Sequence, residues 1–153
     1  MLEHFCCNFK KISVIFFALF ILSSYSNANE FVLVVNKNSS IDQLTTKQIK
    51  RIFLGKMSRL SDGVRAVPLD MGMGSDIRRK FYLKMIRKSQ SQLNAYWARL
   101  VFTGKAKPPE EVTNRNEMLD MVGRVNGYIG YVAVGELSDN VKIVKVINEG
   151  GDI

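Results

Sequence analysis

Arg65-Ala66-Val67-Pro68-Leu69-Asp70-Met71-Gly72-Met73-Gly74-Ser75-Asp76 runs from a short strand, through a glycine-rich loop, to the start of a helix. Arg65 to Asp70 reads as the strand. Pro68 has no N–H to donate, which places it at an edge or a strand end. Beyond Asp76, Ile77, Phe81 and Met85 recur at i, i+4 and i+8, the spacing of one helix face. Two glycines let the backbone turn sharply and approach a neighbour closely.

The same alternation extends to both sides. Phe31-Val32-Leu33-Val34-Val35-Asn36 is a continuous apolar, β-branched run, as expected of a buried strand. Lys37 to Ile41 is a polar loop. Thr45-Thr46-Lys47-Gln48 has capping-box spacing, and Ile49, Ile52 and Phe53 follow at helical spacing until Gly55. Ser61-Asp62-Gly63 is a turn signal. A second capping box, Ser89 to Gln92, opens a helix through about Phe102, with Leu93, Trp97, Leu100 and Val101 inward. Gly104 ends it, and Lys105 to Pro109 is a basic loop. Thr113 or Asn114 caps a helix bearing Met118, Leu119, Val122 and Val125; Tyr128 to Ala133 and Val141 to Ile147 read as strands. The order β-α-β-α-α-α-β-β predicts an α/β protein layered over one sheet.

The chain has 153 residues, 46% hydrophobic and 24% charged, which excludes a disordered chain. Lys10 and Lys11 precede the largely apolar run Ile12 to Leu22, and Ser26-Asn27-Ala28 is small-x-small. This pattern predicts a secretory signal peptide over 1–28 and one domain over 29–153. The apolar run is shorter than the roughly 20 residues of a membrane-spanning helix. His4, Cys6 and Cys7 all fall in that leader, so residues 29–153 contain neither His nor Cys. Thiol nucleophiles, Ser-His-Asp triads, imidazole bases and Cys/His metal sites are thereby excluded from the domain. No Asp/Glu cluster has metal-ligand spacing. The expectation is a protein that is not an enzyme and carries no cofactor and no metal.

Gly74-Ser75-Asp76 is the best local candidate for chemistry. A helix start offers free N–H groups and the positive end of the helix dipole, which suit an anion. The Ser75 hydroxyl adds a donor, and Arg78 lies one turn in. The alternative is that Ser75 or Asp76 only caps its own helix, and Asp76 repels an anion. Lys and Arg also cluster from Lys47 to Arg59 and from Arg78 to Lys88, within a chain of net charge +8. Behind a secretory signal, nucleic acid is not an expected partner. Acidic headgroups, a phosphate ligand or an acidic protein surface fit better, with a solvated charged face as the alternative.

Four ordered motifs resemble the phosphate-binding proteins of ABC transporters. Ile52-Phe53-Leu54-Gly55-Lys56 with Ser61-Asp62-Gly63 resembles their I-F-x-G-K … W-x-D-G stretch. Gly74-Ser75-Asp76-Ile77 through Phe81 takes the place of their G-S-G-T … F loop. Asn126-Gly127-Tyr128-Ile129-Gly130-Tyr131-Val132 is similar to their G-A-I-G-Y-V strand, and Tyr96 through Pro109 resembles short members of the same superfamily.

The resemblance implies a type 2 periplasmic-binding-protein-like fold: one α/β lobe, a mixed sheet flanked by helices. It also implies a periplasmic protein that binds phosphate or a related oxyanion; together with the reading of the helix start, the expected ligand-binding residues are Gly74, Ser75, Asp76 and Arg78. An ABC permease or a membrane sensor would be the partner, and binding would be weaker than in two-lobed relatives unless a homodimer or that partner covers the site. Only Gly74 and Ser75 carry over residue by residue. The Thr of the loop falls on Ile77, its usual Arg on Met71, and the tryptophan of the first motif on Leu60. Losing one Arg and one hydroxyl should weaken binding on the order of 10²-fold or more. These departures support an alternative, an envelope protein–protein interaction module whose anion site has decayed.

Overall fold

A computed structural model describes residues 31–60, 62–135 and 137–147. The expected signal peptide over 1–28, Ser61 of the expected turn and the last six residues lie outside the described residues.

The elements are β1 (Val32–Asn36), β2 (Gln43–Thr45), α1 (Thr46–Phe53), β3 (Val67–Met71), α2 (Asp76–Phe81), α3 (Gln90–Phe102), β4 (Glu110–Val112), α4 (Arg115–Arg124), β5 (Tyr128–Val132) and β6 (Val141–Ile147). Helix α2 passes directly into a π-helical turn, Tyr82–Ile86. Six strands form one mixed sheet in the order β2-β6-β1-β5-β3-β4. Strand β1 lies near its centre, antiparallel to both β5 and β6, which explains its unbroken apolar run.

Register assigns the helices to faces. Val34 pairs with Gly130, and Leu33 with Tyr131. A Cβ on Gly130 would lie 2.3 Å from Met118 Sδ, so this side of the sheet faces α4. Asn36 has the same parity as Val34, and its side-chain amide donates to the Val122 and Gly123 carbonyls at the end of α4. Tyr131 points the other way and stacks on Phe81, ring centroids 3.9 Å apart and 6° from parallel. Phe53 of α1 meets Phe81 at 4.7 Å, edge to face. Helices α1 and α2 therefore cover the face opposite α4 around an aromatic cluster, an arrangement favourable beyond its buried area. Helix α3 extends this layer: Tyr96 donates to the Leu54 carbonyl at 2.7 Å, and Trp97 packs beside Gly55.

Both capping boxes form as read, Thr45 with Gln48 and Ser89 with Gln92, and Asn114 rather than Thr113 caps α4. Pro68 pairs with Ile129 of β5 but precedes the ladder to β4, which begins at Leu69. Its missing N–H thus falls beyond the end of that ladder.

Other expectations are corrected. The three-residue strands β2 and β4 carry no alternation long enough to read, yet they pair with β6 and β3. Val101, expected inward, is exposed, because the last turn of α3 projects past the core. Val125 falls just beyond α4 in extended conformation and is also exposed.

Candidate functional site

Strand β3 ends at Met71, and the chain turns through Gly72 to Ser75 to enter α2. Gly74 has φ +88°, a conformation that glycine adopts without steric cost, and the Ser75 N–H donates to the Gly72 carbonyl. Ser75 is the N-cap of α2, but its hydroxyl makes no capping hydrogen bond. Asp76 is exposed and pairs along the helix with Arg79 and Lys80. Those partners hold its carboxyl below the ordinary Asp range.

Arg78 is different: it is buried. Strands β3 and β4 pair in parallel with Asp70 opposite Glu111, and Arg78 closes on both carboxylates. Its Nη2 lies 3.1 Å from Asp70 Oδ2, and its Nη1 donates to Glu111 Oε1 at 2.7 Å. Its Nε is buried without a hydrogen-bond partner among the described residues. The guanidinium also sits over the Tyr82 ring, 5.7 Å from the centroid.

Behind Arg78 the site is fully built. Asp70 has no exposed surface, and it accepts hydrogen bonds from the Tyr82 hydroxyl at 2.8 Å, from Tyr131 and from the Met71 N–H at 2.9 Å. Burial pushes its carboxyl up from the ordinary Asp value, against the pull of those donors and of Arg78. Burial and the Asp70 charge push both tyrosines upward, so they remain donors. Burial opposes the charged form of Arg78, but Asp70 and Glu111 outweigh it and hold the guanidinium protonated.

The front of the site belongs to Glu111. Its side chain is 42% exposed, and its second oxygen accepts from the Met73 N–H of the glycine-rich loop at 3.3 Å. One carboxylate thus bridges a buried cation and a loop amide, the two kinds of donor that an oxyanion would use. Met73 itself is exposed. Of the residues expected to bind ligand, Arg78 is buried between Asp70 and Glu111, Gly74 and Ser75 lie in the loop before α2, and Asp76 faces solvent. Asp70 and Glu111 were not singled out in the sequence. Asp70 lay at a strand end, and the pairing that sets Glu111 beside it joins residues 41 apart.

No protein-family model matches the sequence, and no curated protein does. Solved structures do match. An ABC-type phosphate transport receptor from Vibrio cholerae superposes with a TM-score of 0.61 at 18% identity, over 80% of this chain and 47% of the receptor. A putative phosphate ABC transporter substrate-binding protein with bound phosphate, from Clostridium perfringens, gives 0.60 at 21% identity over 76% and 44%. The chain has a periplasmic-binding-protein-like fold. A phosphate-binding protein from Stenotrophomonas maltophilia also shares it, with a TM-score of 0.55 at 19% identity, over 78% of this chain and 39% of that one. The chain spans less than half the length of each of these proteins.

Proposed function

We propose that this chain is a non-catalytic, periplasmic binding domain for phosphate or a related oxyanion. Its seat lies between the Gly72–Ser75 loop and Arg78, and Glu111 occupies that seat when no ligand is bound. The bridging carboxylate carries the reading, because Glu111 already engages Arg78 Nη1 and the Met73 N–H as an oxyanion would. The likeness to a structure with bound phosphate supports the ligand class. An ABC permease or a membrane sensor is the partner that such a binding domain would serve.

Charge sets the expected strength. Arg78 with Asp70 and Glu111 sums to one negative charge, so an incoming anion must displace Glu111 from a site that does not attract it at long range. Binding is therefore weak in the parent chain. The test is calorimetric titration of the parent, Glu111→Gln and Ser75→Ala with phosphate and then sulfate. The reading requires saturable binding that Glu111→Gln strengthens and Ser75→Ala weakens. Absence of oxyanion binding in all three at millimolar ligand would sink it.

The exposure of Met73, 69% on the loop beside the site, favours a second reading, the envelope interaction module with a decayed anion site. Under that reading a partner protein covers Met73, and no variant of Glu111 recovers anion binding.

A further inference from the structure

The Lys and Arg residues are not spread evenly over the two faces of the sheet. From Gln43 to Ser61 the chain has five Lys or Arg and no Asp or Glu, and from Ile77 to Pro109 it has nine and again none. These stretches form α1, most of α2, the π-helical turn, α3 and the loop after it, which is the layer on the Tyr131 side of the sheet. Helix α4, on the other side, is balanced by Glu117 and Asp120 against Arg115 and Arg124. Within the basic layer, Asp76 answers only its neighbours Arg79 and Lys80.

One end of this layer also exposes apolar surface. Phe102, the last residue of α3, is 92% exposed, and Val101 beside it is 55% exposed. Arg99, Lys105 and Lys107 flank the pair, all exposed, with no acidic residue between Ile77 and Pro109. A solvated charged face explains the lysines but leaves a bare phenylalanine in water. An aromatic ring ringed by cations matches the interface of an anionic bilayer, where the ring enters the headgroup layer and the cations stay with the phosphates. No described helix is long and apolar enough to cross a membrane.

We infer that the C-terminal end of α3 and the loop after it dock on an anionic lipid surface, with Phe102 as the inserted side chain and Arg99, Lys105 and Lys107 as headgroup contacts. This surface is separate from the Arg78–Glu111 site and does not depend on what that site binds. The occupant is a bilayer rather than an acidic protein because the exposed apolar group is two adjacent side chains, Val101 and Phe102, at a helix end, too small a patch to cover a protein partner.

The test uses the full chain and sedimentation with vesicles of phosphatidylglycerol and phosphatidylcholine in equal parts, against vesicles of phosphatidylcholine alone. Residues 1–30 are common to every variant, so comparison between variants removes their contribution. The parent should partition more strongly onto the anionic vesicles, and the excess should fall away at about 1 M salt, where screening acts within about 3 Å. Lys105→Gln with Lys107→Gln should lower anionic partitioning by about fivefold per lysine. Phe102→Trp should shift its emission to the blue on anionic vesicles, while buried Trp97 supplies a constant background. The inference is overturned if the double lysine variant partitions like the parent, or if Phe102→Trp keeps its aqueous emission on bound vesicles. Lysine-dependent binding to polyglutamate without binding to vesicles would instead assign the face to an acidic protein.

Discussion

Asp70 and Glu111 stand opposite one another on the parallel strands β3 and β4, and Arg78 closes on both carboxylates. The two acids have different roles. Asp70 is sealed behind the cation with two tyrosines and a backbone amide, whereas Glu111 reaches it from the solvent side and also accepts from the Met73 N–H. The inner carboxylate holds Arg78 in place, and under the proposed function the outer one stands where a ligand would.

Glu111→Gln should therefore raise phosphate affinity about tenfold or more. The substitution removes a charge-assisted hydrogen bond of about 1.5–3 kcal/mol that a ligand must otherwise displace. Titration calorimetry reads the change directly. An affinity equal to or below that of the parent contradicts the role given to Glu111.

Asp70→Asn should destabilise the fold by about 3–5 kcal/mol, because it leaves a buried guanidinium with only a half-exposed partner. Urea denaturation measures this loss. Tyr131→Phe, which removes one donor to Asp70 and leaves the ion pair, should cost only about 1–2 kcal/mol.

Gly127→Ala should cost about 3 kcal/mol or more. Gly127 has φ +101°, and a Cβ there would lie 2.3 Å from the Arg65 carbonyl oxygen, a backbone atom that cannot move aside alone. Thermal unfolding of the variant, with Gly63→Ala as a control, separates close approach from backbone strain. Gly63 also has positive φ, but its Cβ would meet nothing within 4 Å.

Acid should remove a local contribution at α4. The Thr113 hydroxyl and N–H both donate to Glu117 and hold its carboxyl below the ordinary value of 4.5. A depressed carboxyl stabilises the folded state fully above its unfolded pKa, and that stability is lost as pH falls through the folded value. The Tm gap between the parent and Glu117→Gln should thus be present at neutral pH and close in acid. A gap that is constant with pH would place the effect in packing instead.

Local signals carried the fold a long way. Both capping boxes, the apolar strand at β1 and the helical spacing of Ile49, Ile52 and Phe53 act within a few residues, so one chain suffices to read them. The short strands β2 and β4 were not legible, because three residues have no period and each is held by a partner distant in sequence. At the site, Arg78 was legible as a cation one turn into a helix, but its burial was not.

The sequence by itself determined the α/β class and most of the elements, and it kept His and Cys out of residues 29–153. Tertiary structure decided which charges meet. Parallel pairing of β3 with β4 brings Glu111 to Asp70, and the fold of α2 back over β3 lowers Arg78 between them. It also gathered α1 and α3, which carry no Asp or Glu, on one face of the sheet. Pairing across a sheet is set by the packing of whole faces, so no local spacing of residues announces it.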